Sequence, residues 1–583
     1  MDIIQVSSVL NAEGLAQPGL NVLVPNAENY KALLLQPHGD IEVTSQGVRN
    51  RKQGLADKQY KKFIEMACET QADLVMTPEY SMPWGSLIDA IKAGNRPEEG
   101  KIWALGCESI KYSELVEIKD DISDIANVIF ESLDIEDNRF LSPLVYLFNS
   151  ATVDENSIKK PVLLVQFKTH PMGDPDHYEI NGLQKGNSVY QFVGAQGGIK
   201  LTSLICADVF AFEDSHAQEM YDRGLILHIQ LNPKPRHEGF RGSRRRIFQY
   251  SGDTTEVICL NWARNVCMEI EGEKQCWGND SISAWYLKST DYDQRDFVLS
   301  KNHKKGFYYT WYSSLRAHAL FLNFDSAIFL LNATKIAHVN VAGAISRRRG
   351  PQLEIRHVWS DTDAAWEETD SADSGFDSIA KESATAEDSI KQVAEDNAIN
   401  AERVLALCSG EINAGEDWYK ANVIDACVIN DSEIINRITF CQDTDSNACA
   451  FRTGRLKRLG NLWSILNSED KLPPSLNAFK DNLKLDWSSS APQQNILSEQ
   501  GDRATVIYMG EEKSSDQIEK VKMKSSEYLR RSLSVEQERR SALQRLIVWY
   551  RDGNGEIKQF APHQYIQIDE GIDASSFDIG REE

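Results

Sequence analysis

The sequence predicts an α/β protein of layered sheets and helices, followed by a smaller α/β region towards the C-terminus. Three observations predict it. Between about residues 29 and 358, short β-rich apolar runs alternate with longer helical stretches. The 583-residue length exceeds what one hydrophobic core usually organises, at an ordinary globular composition of 41% hydrophobic and 26% charged residues. Apolar patches return after a long acidic stretch and end in a hairpin signal.

Taken in order, residues 1–28 read as an N-terminal extension. The layered region, 29–358, opens with the strand "YKALLLQP", continues through the helix "LADKQYKKFIEMACETQ", and returns to strands at "ADLVMTP" and "KIWALGC". Residues 113–138 carry apolar side chains at three- and four-residue intervals among acids, which predicts a helical insertion with one solvated face. Residues 359–400 are rich in Asp, Glu, Ser and Ala and poor in large apolar residues, the composition of an acidic linker or a loosely held helix. The remainder, 401–583, reads as an accessory domain. Within it, "SSDQIEKVKMKSSEYLRRSLSVEQERRSALQRL" predicts one or two amphipathic helices, and Asp552 to Gly555 the turn of the final hairpin.

Charge narrows the function. A formal net charge of −24 disfavours nucleic acid and anionic membranes, which are bound through clustered Lys and Arg. The most apolar late segment, "ALFLNFDSAIFLLNA", is interrupted by Asn323 and Asp325 and falls short of the roughly 20 residues of a spanning helix. Ten cysteines occur without a CxxC pair, and the first residues lack a basic region followed by an apolar run. These features predict a cytoplasmic chain with reduced thiols. Neither Cys267 with Cys276 nor Cys441 with Cys449 has the short spacing of a structural zinc site, so no metal and no cofactor is expected. "LCSGEINAG" (407–415) has too few glycines to cradle a phosphate and reads as a turn.

An isolated cysteine on a β-rich run is ordinarily a small buried hydrophobe. Cys206, at the end of "KLTSLI", has more suggestive company. A reactive thiolate needs a base, a stabilising cation and exposure at the end of an element. Glu79 follows an apolar strand that Pro78 is expected to end, and Lys168 closes "PVLLVQF". A carboxylate, an ammonium and a thiol at three strand ends can converge on one edge of a sheet.

Glu, then Lys, then Cys in these settings resembles the nitrilase, or carbon–nitrogen hydrolase, superfamily, over roughly residues 29–340. "QADLVMTPEYS" is similar to the glutamate segment of that family, and "YLFNSATVDENSIKKPVLLVQFKTHP" to its strand, turn and lysine segment. "GGIKLTSLICADVF" is similar to the nucleophile strand, and "RRRIFQYSGDTTEVICLNWARNV" to the helix and strand that follow. "CWGNDSISAW" resembles a later Gly- and Ser-bearing segment.

The resemblance implies an αββα sandwich, commonly paired into a homodimer or higher homo-oligomer. It also implies a thiol-dependent hydrolase of non-peptide C–N bonds (amide, nitrile or carbamoyl) acting on a small molecule. Glu79 is implied as the general base, Lys168 as the oxyanion cation and Cys206 as the nucleophile. Glu179 matches a second glutamate that orients the lysine, although Asp176 competes for that role. Tyr80, Ala207, Asp208, Asn232, Pro233 and Arg236 are expected to line the substrate, with the Ala207 N–H as a second oxyanion donor.

Alternatives stay open at this stage. The arginine-rich "PRHEGFRGSRRRIF" reads either as a rim for an anionic group or as ion pairs with the chain's own acids. His170, His228 and His237 admit a Cys–His hydrolase. Acyl transfer to an acceptor other than water would use the same three residues. A catalytically silent scaffold with a protein partner for the C-terminal domain is the rival from another class. A glutaminase feeding an attached synthetase would require a nucleotide-binding loop of the SGGxDS type in the C-terminal part, and the sequence has none.

Overall fold

The computed structural model describes residues 1–561 apart from 27, 45, 135–137, 154–157, 174–177, 196–197, 221–222, 236, 251–253, 271, 278–282, 290–291, 294, 313–315, 337–349, 370–379, 413–417, 421–445, 469–471, 481–482 and 511–513. The chain is mixed α/β and divides into two units. One comprises Met1–Phe376 with Lys420–Phe451, and the other Asp377–Tyr419 with Arg452–Glu583.

The first unit contains two large sheets. One runs in the order Ala365–Glu368, Gln352–Ser360, Ala327–Thr334, Asn29–Gln36, Leu74–Met82, Ile102–Cys107, Pro143–Ala151, Lys159–Phe167 and Asn127–Phe130. The other runs Asp2–Gln5, Ser188–Val193, Lys200–Ile205, Gly224–Ile229, Thr255–Leu260, Ala284–Lys288, Ala317–Leu322 and Phe307–Tyr312. Their inner faces pack together. Strand Leu74–Met82 meets Gly224–Ile229 and Thr255–Leu260, and the Phe192 ring lies 5.0 Å from Tyr146 and 5.5 Å from Phe148.

Helices cover the outer faces. Tyr60, Phe63 and Ile64 of helix Gln53–Thr70 and Leu87 of helix Trp84–Lys92 pack on Val75, Trp103 and Val145 of the first sheet. Ala217 and Met220 of helix Asp214–Met220, with Phe240 and Ile247 of helix Glu238–Tyr250, pack on Leu204, Ile226 and Val257 of the second. Central strands covered on both faces need continuous apolar runs rather than alternation. This is why all nine residues of Leu74–Met82 are buried.

Three sequence expectations are corrected. Residues 1–28 are no mere extension, because Asp2–Gln5 pairs in parallel with Ser188–Gln191 and helix Val6–Ala12 buries Val6 and Leu10. The predicted helix over 113–138 ends at Asp121. Its β-branched continuation "NVIF" becomes strand Asn127–Phe130, paired with Val162–Val165. The expected linker 359–400 holds the end of strand Gln352–Ser360, strand Ala365–Glu368 and helix Glu387–Asp396, and helix Ala398–Cys408 begins before its end. Its few apolar residues, Ile390, Val393 and Ile399, are buried, so composition alone understated its packing.

A small sheet in the same unit orders Glu273–Cys276, Cys267–Ile270, Asp40–Thr44 and Gly47–Asn50. Cys267 and Cys276 face each other across its antiparallel pair and form a disulfide, with sulfurs 2.01 Å apart. The expectation of uniformly reduced thiols is corrected at this pair. The hairpin register places the two side chains directly opposite, which sequence spacing alone did not reveal.

The second unit has a five-stranded sheet ordered Leu483–Leu485, Ile496–Ser498, Arg503–Tyr508, Leu546–Arg551 and Ile557–Gln559. The predicted hairpin is present. Trp549 pairs with Gln559 and Arg551 with Ile557, and Gly555 takes the positive φ of 82° that its turn requires. The amphipathic segment forms two helices, Ser515–Ser532 and Glu536–Gln544, whose Ile518, Leu529 and Ala542 pack on Ile507 and Val548. No helix among the described residues is long and apolar enough to cross a membrane.

Candidate active site

Glu79 lies inside strand Leu74–Met82, where the chain leaves its ladder. Pairing with Ile102–Cys107 holds through Thr77 and resumes only at Met82 with Cys107. Pro78 has no N–H to contribute there, and Tyr80 takes a positive φ of 57°. The strand is therefore interrupted rather than ended, and the interruption turns Glu79 into the space between the two large sheets. Lys168 directly follows strand Lys159–Phe167 of the same sheet, and Cys206 directly follows Lys200–Ile205 of the facing one. The three groups thus meet across two sheets, not along the edge of one as expected.

Glu79, Lys168, Glu179 and Cys206 are each about 1% exposed. Lys168 Nζ donates to Glu79 Oε1 at 2.8 Å and to both oxygens of Glu179 at 2.7 Å. The second oxygen of Glu79 accepts from the Leu231 N–H at 2.9 Å, and Ser142 Oγ approaches Oε1 at 3.4 Å. Glu179 also accepts from Tyr80 Oη at 2.7 Å and from the Met172 N–H at 2.6 Å. The Cys206 thiol, likewise buried, feels the charges of Glu79, Lys168 and Glu179.

Electrostatics follow from this burial. Desolvation lifts the Glu79 carboxyl to about 7 although the Lys168 charge opposes it, which makes it a stronger base than a surface carboxylate. Burial works to lower Lys168, but the charges of Glu179 and Glu79 outweigh it and hold the ammonium well above its ordinary range. Burial first, then Glu79, pushes the Cys206 thiol well up, so at rest the site holds a thiol beside a carboxylate. The arrangement can move a proton from sulfur to Glu79 while a fixed cation waits beside it.

Cys206 itself has φ 42°, and the five-residue 3₁₀ turn Cys206–Phe210 begins there. Ala207, the second residue of that turn, is fully buried.

The remaining expected contacts are placed as follows. Tyr80 supports Glu179. Asp208 and Asn232, expected against substrate, spend their polar atoms on the chain: Asp208 on Ile205, Thr169 and His170, and Asn232 on Gln230 and Lys234. Pro233 follows Asn232 in a half-buried bend. Arg236 and Asp176 lie outside the described residues. His228 turns its ring to the Cys206 carbonyl at 2.9 Å, not to the thiol. Of the arginine cluster, Arg241 pairs with Glu238 at 3.6 Å and Arg246 with Asp214 at 3.3 Å. Arg244 is buried over Tyr286 and donates to the Pro235 carbonyl.

Sequence reading missed Ser142, Leu231, Trp262 and Thr169. Trp262 Nε1 donates to the Glu79 carbonyl at 2.8 Å. Only the Asn-Trp pair after strand Thr255–Leu260 hinted at it. A cavity of about 360 Å³ lined by His38, Asp40, Lys52, Gln59 and Trp359 among others includes none of Glu79, Lys168, Glu179 and Cys206. Among the described residues, no three His, Cys, Asp or Glu side chains are grouped to hold a metal.

No family model matches the chain, and no curated protein matches it. Solved structures do. A glutamine-dependent NAD+ synthetase from Acinetobacter baumannii matches at 12% identity and a TM-score of 0.32, over 55% of this chain and 49% of its own. This chain therefore spans about half the length of that synthetase. A CN-hydrolase superfamily protein from Xanthomonas campestris matches at 14% identity and a TM-score of 0.26, over 44% of this chain and 82% of its own. An amidase from Nesterenkonia sp. matches at 13% identity and a TM-score of 0.26, over 46% of this chain and 85% of its own.

Proposed function

We propose that this chain is a thiol-dependent hydrolase of non-peptide carbon–nitrogen bonds in a small molecule. One observation carries the reading: the buried Glu79 carboxyl shares the Lys168 ammonium with Glu179, and the buried Cys206 thiol lies within reach of these charges. In the first half-reaction Cys206 Sγ attacks the substrate carbon and its proton passes to Glu79. Negative charge develops on the substrate oxygen, or on nitrogen for a nitrile. The Lys168 ammonium and the Ala207 N–H receive it. For an amide, the adduct then collapses, the C–N bond breaks, and the amine leaves with the proton held by Glu79. In the second half-reaction Glu79 takes a proton from water as its oxygen attacks the thioester. The C–S bond breaks, and the proton returns to sulfur.

Lys168 has three protons. Glu179 presents both oxygens to Nζ and can hold one proton between them, which leaves a donor for the oxyanion beside the bond to Glu79. Glu179 thereby orients the lysine. Acyl transfer to another acceptor would use the same steps with that acceptor replacing water.

A silent scaffold is the second reading, favoured by the 1% exposure of Cys206. Brief iodoacetamide treatment near pH 7 with peptide mapping separates the two. The hydrolase reading expects Cys206 to label faster than the buried thiols Cys107, Cys259 and Cys408. It also expects Glu79→Gln and Lys168→Ala to slow that labelling roughly tenfold or more. Labelling of Cys206 no faster than the other three supports the scaffold. The homo-oligomer, a protein partner for the C-terminal unit and residence in the cytoplasm belong to the same proposal. Light scattering, affinity capture and cell fractionation read them respectively.

A further inference from the structure

We propose that Asp208 and His228 are positioning residues that lock the backbone of Cys206 in its left-handed conformation and fix its distance from Lys168. The inference rests on the hydrolase reading and deepens it.

A non-glycine residue at φ 42° is strained and persists only where its surroundings over-determine it. Both sides of Cys206 are so determined. On the N-terminal side, the Ile205 N–H donates to Asp208 Oδ2 at 3.0 Å, a carboxylate closing the turn back onto its own start. On the C-terminal side, the Cys206 carbonyl meets His228 Nε2 at 2.9 Å. Parallel pairing of Leu204 with His228 brings the imidazole to that height on the neighbouring strand.

The donor on His228 follows from its other contact. Gln230 Nε2 lies 2.8 Å from Nδ1 against 3.3 Å from Nε2, and Gln230 Oε1 accepts from Asn232 Nδ2 at 3.2 Å. An amide N–H aimed at Nδ1 makes that nitrogen the acceptor and places the ring proton on Nε2. Burial lowers the ring to about 3, so it stays neutral at working pH.

The second oxygen of Asp208 reaches the other sheet. Oδ1 accepts from the Thr169 N–H at 2.8 Å, Thr169 Oγ1 at 2.9 Å and the His170 N–H at 3.0 Å. One buried carboxylate therefore joins the residue before the nucleophile to the two residues after the lysine. Cys206 and Lys168 directly follow strands of different sheets, and the chain Ile205, Asp208, Thr169 links their backbones by hydrogen bonds. A displacement of about 1 Å between groups that act together costs up to a hundredfold in rate.

The test compares Asp208→Asn, His228→Leu and His228→Gln with wild type in the full chain. The readouts are the rate constant of Cys206 alkylation by iodoacetamide from pH 6 to 9 and the thermal midpoint. Asp208→Asn and His228→Leu are expected to slow alkylation roughly tenfold near pH 7 and to displace its pH profile. His228→Gln can still offer an N–H to the Cys206 carbonyl and should recover most of the rate. If Asp208→Asn does not fold, Thr169→Val removes one donor to the same carboxylate and should slow alkylation several-fold. Folded variants with the wild-type rate and profile overturn the inference, as does an equal loss in His228→Gln and His228→Leu. Wild-type Cys206 labelling no faster than Cys259 overturns the hydrolase reading and this inference together. Selective wild-type labelling with unmoved variants overturns this one alone.

Discussion

Lys168 Nζ stands 2.8 Å from Glu79 Oε1, with both side chains at most 2% exposed. The same nitrogen meets Glu179 at 2.7 Å, so one buried cation holds two buried carboxylates apart from water. Replacing it with Met leaves two like charges facing each other in a site that cannot solvate them. Lys168→Met should lose roughly 3–5 kcal/mol at pH 8. The deficit should shrink at pH 5, where a carboxyl relieved of the cation takes a proton. Urea unfolding at the two pH values measures this, and a pH-independent deficit would contradict it. Turnover, where a substrate has been found, should fall by a factor on the order of 10²–10³.

Glu79 gives the wild-type protein a pH signature of its own. Its carboxyl ordinarily titrates near 4.5 and is lifted to about 7 by burial in the folded chain. Between those values the folded state binds more protons than the unfolded one, so stability declines as pH rises through the window. The loss from this one group amounts to at most ~3 kcal/mol. Glu79→Gln removes the titration, so the variant should gain on wild type between pH 5 and 7. Unfolding midpoints at pH 5, 6 and 7 would show it; parallel curves for the two proteins would refute the shift.

Parts of this were legible in the sequence and parts were not, for physical reasons. The strands leading to Glu79, Lys168 and Cys206 announce themselves because a strand buried on both faces must be uniformly apolar, and these three residues stand where those runs break. Glu179 was harder. It reaches Lys168 from the short helix Tyr178–Gly182, and short helices carry little periodic signal. Asp208 is a substrate contact on the family resemblance, whereas its carboxylate accepts from the backbone N–H groups of Ile205, Thr169 and His170, which sequence does not display. The small sheet and its disulfide needed pairing between Asp40–Thr44 and Cys267–Ile270, more than two hundred residues apart. No local pattern encodes that contact.

Gly106 makes the interruption at Glu79 possible. A Cβ on Gly106 would lie 2.1 Å from the Pro78 carbonyl oxygen and 2.9 Å from the Glu79 nitrogen. Backbone cannot yield there as a flexible side chain would, so Gly106→Ala must displace residues 78–79. A destabilisation of roughly 1–3 kcal/mol is expected from the overpacking. Selective alkylation of Cys206 should also be lost, because the base moves with its backbone. Retention of wild-type labelling by a folded Gly106→Ala protein would show that the close approach is relaxed elsewhere.

The Cys267–Cys276 pair supplies a prediction independent of catalysis. The two residues close a hairpin at a sequence separation of 9, whose first strand also pairs with Asp40–Thr44. In the chain-entropy account so short a loop contributes ~2–3 kcal/mol. The hairpin lies at the edge of a small sheet, so the effect should be local. Reduction should speed amide exchange within 266–277, while the large sheets keep their protection. Iodoacetamide applied in denaturant without reductant should leave Cys267 and Cys276 unmodified, and prior reduction should add two adducts that map to those positions. Full alkylation of all ten cysteines without reductant would show that the pair is a dithiol in solution. The hairpin would then be held by its strand pairing and by the packing of Met268 and Val266 against Trp262.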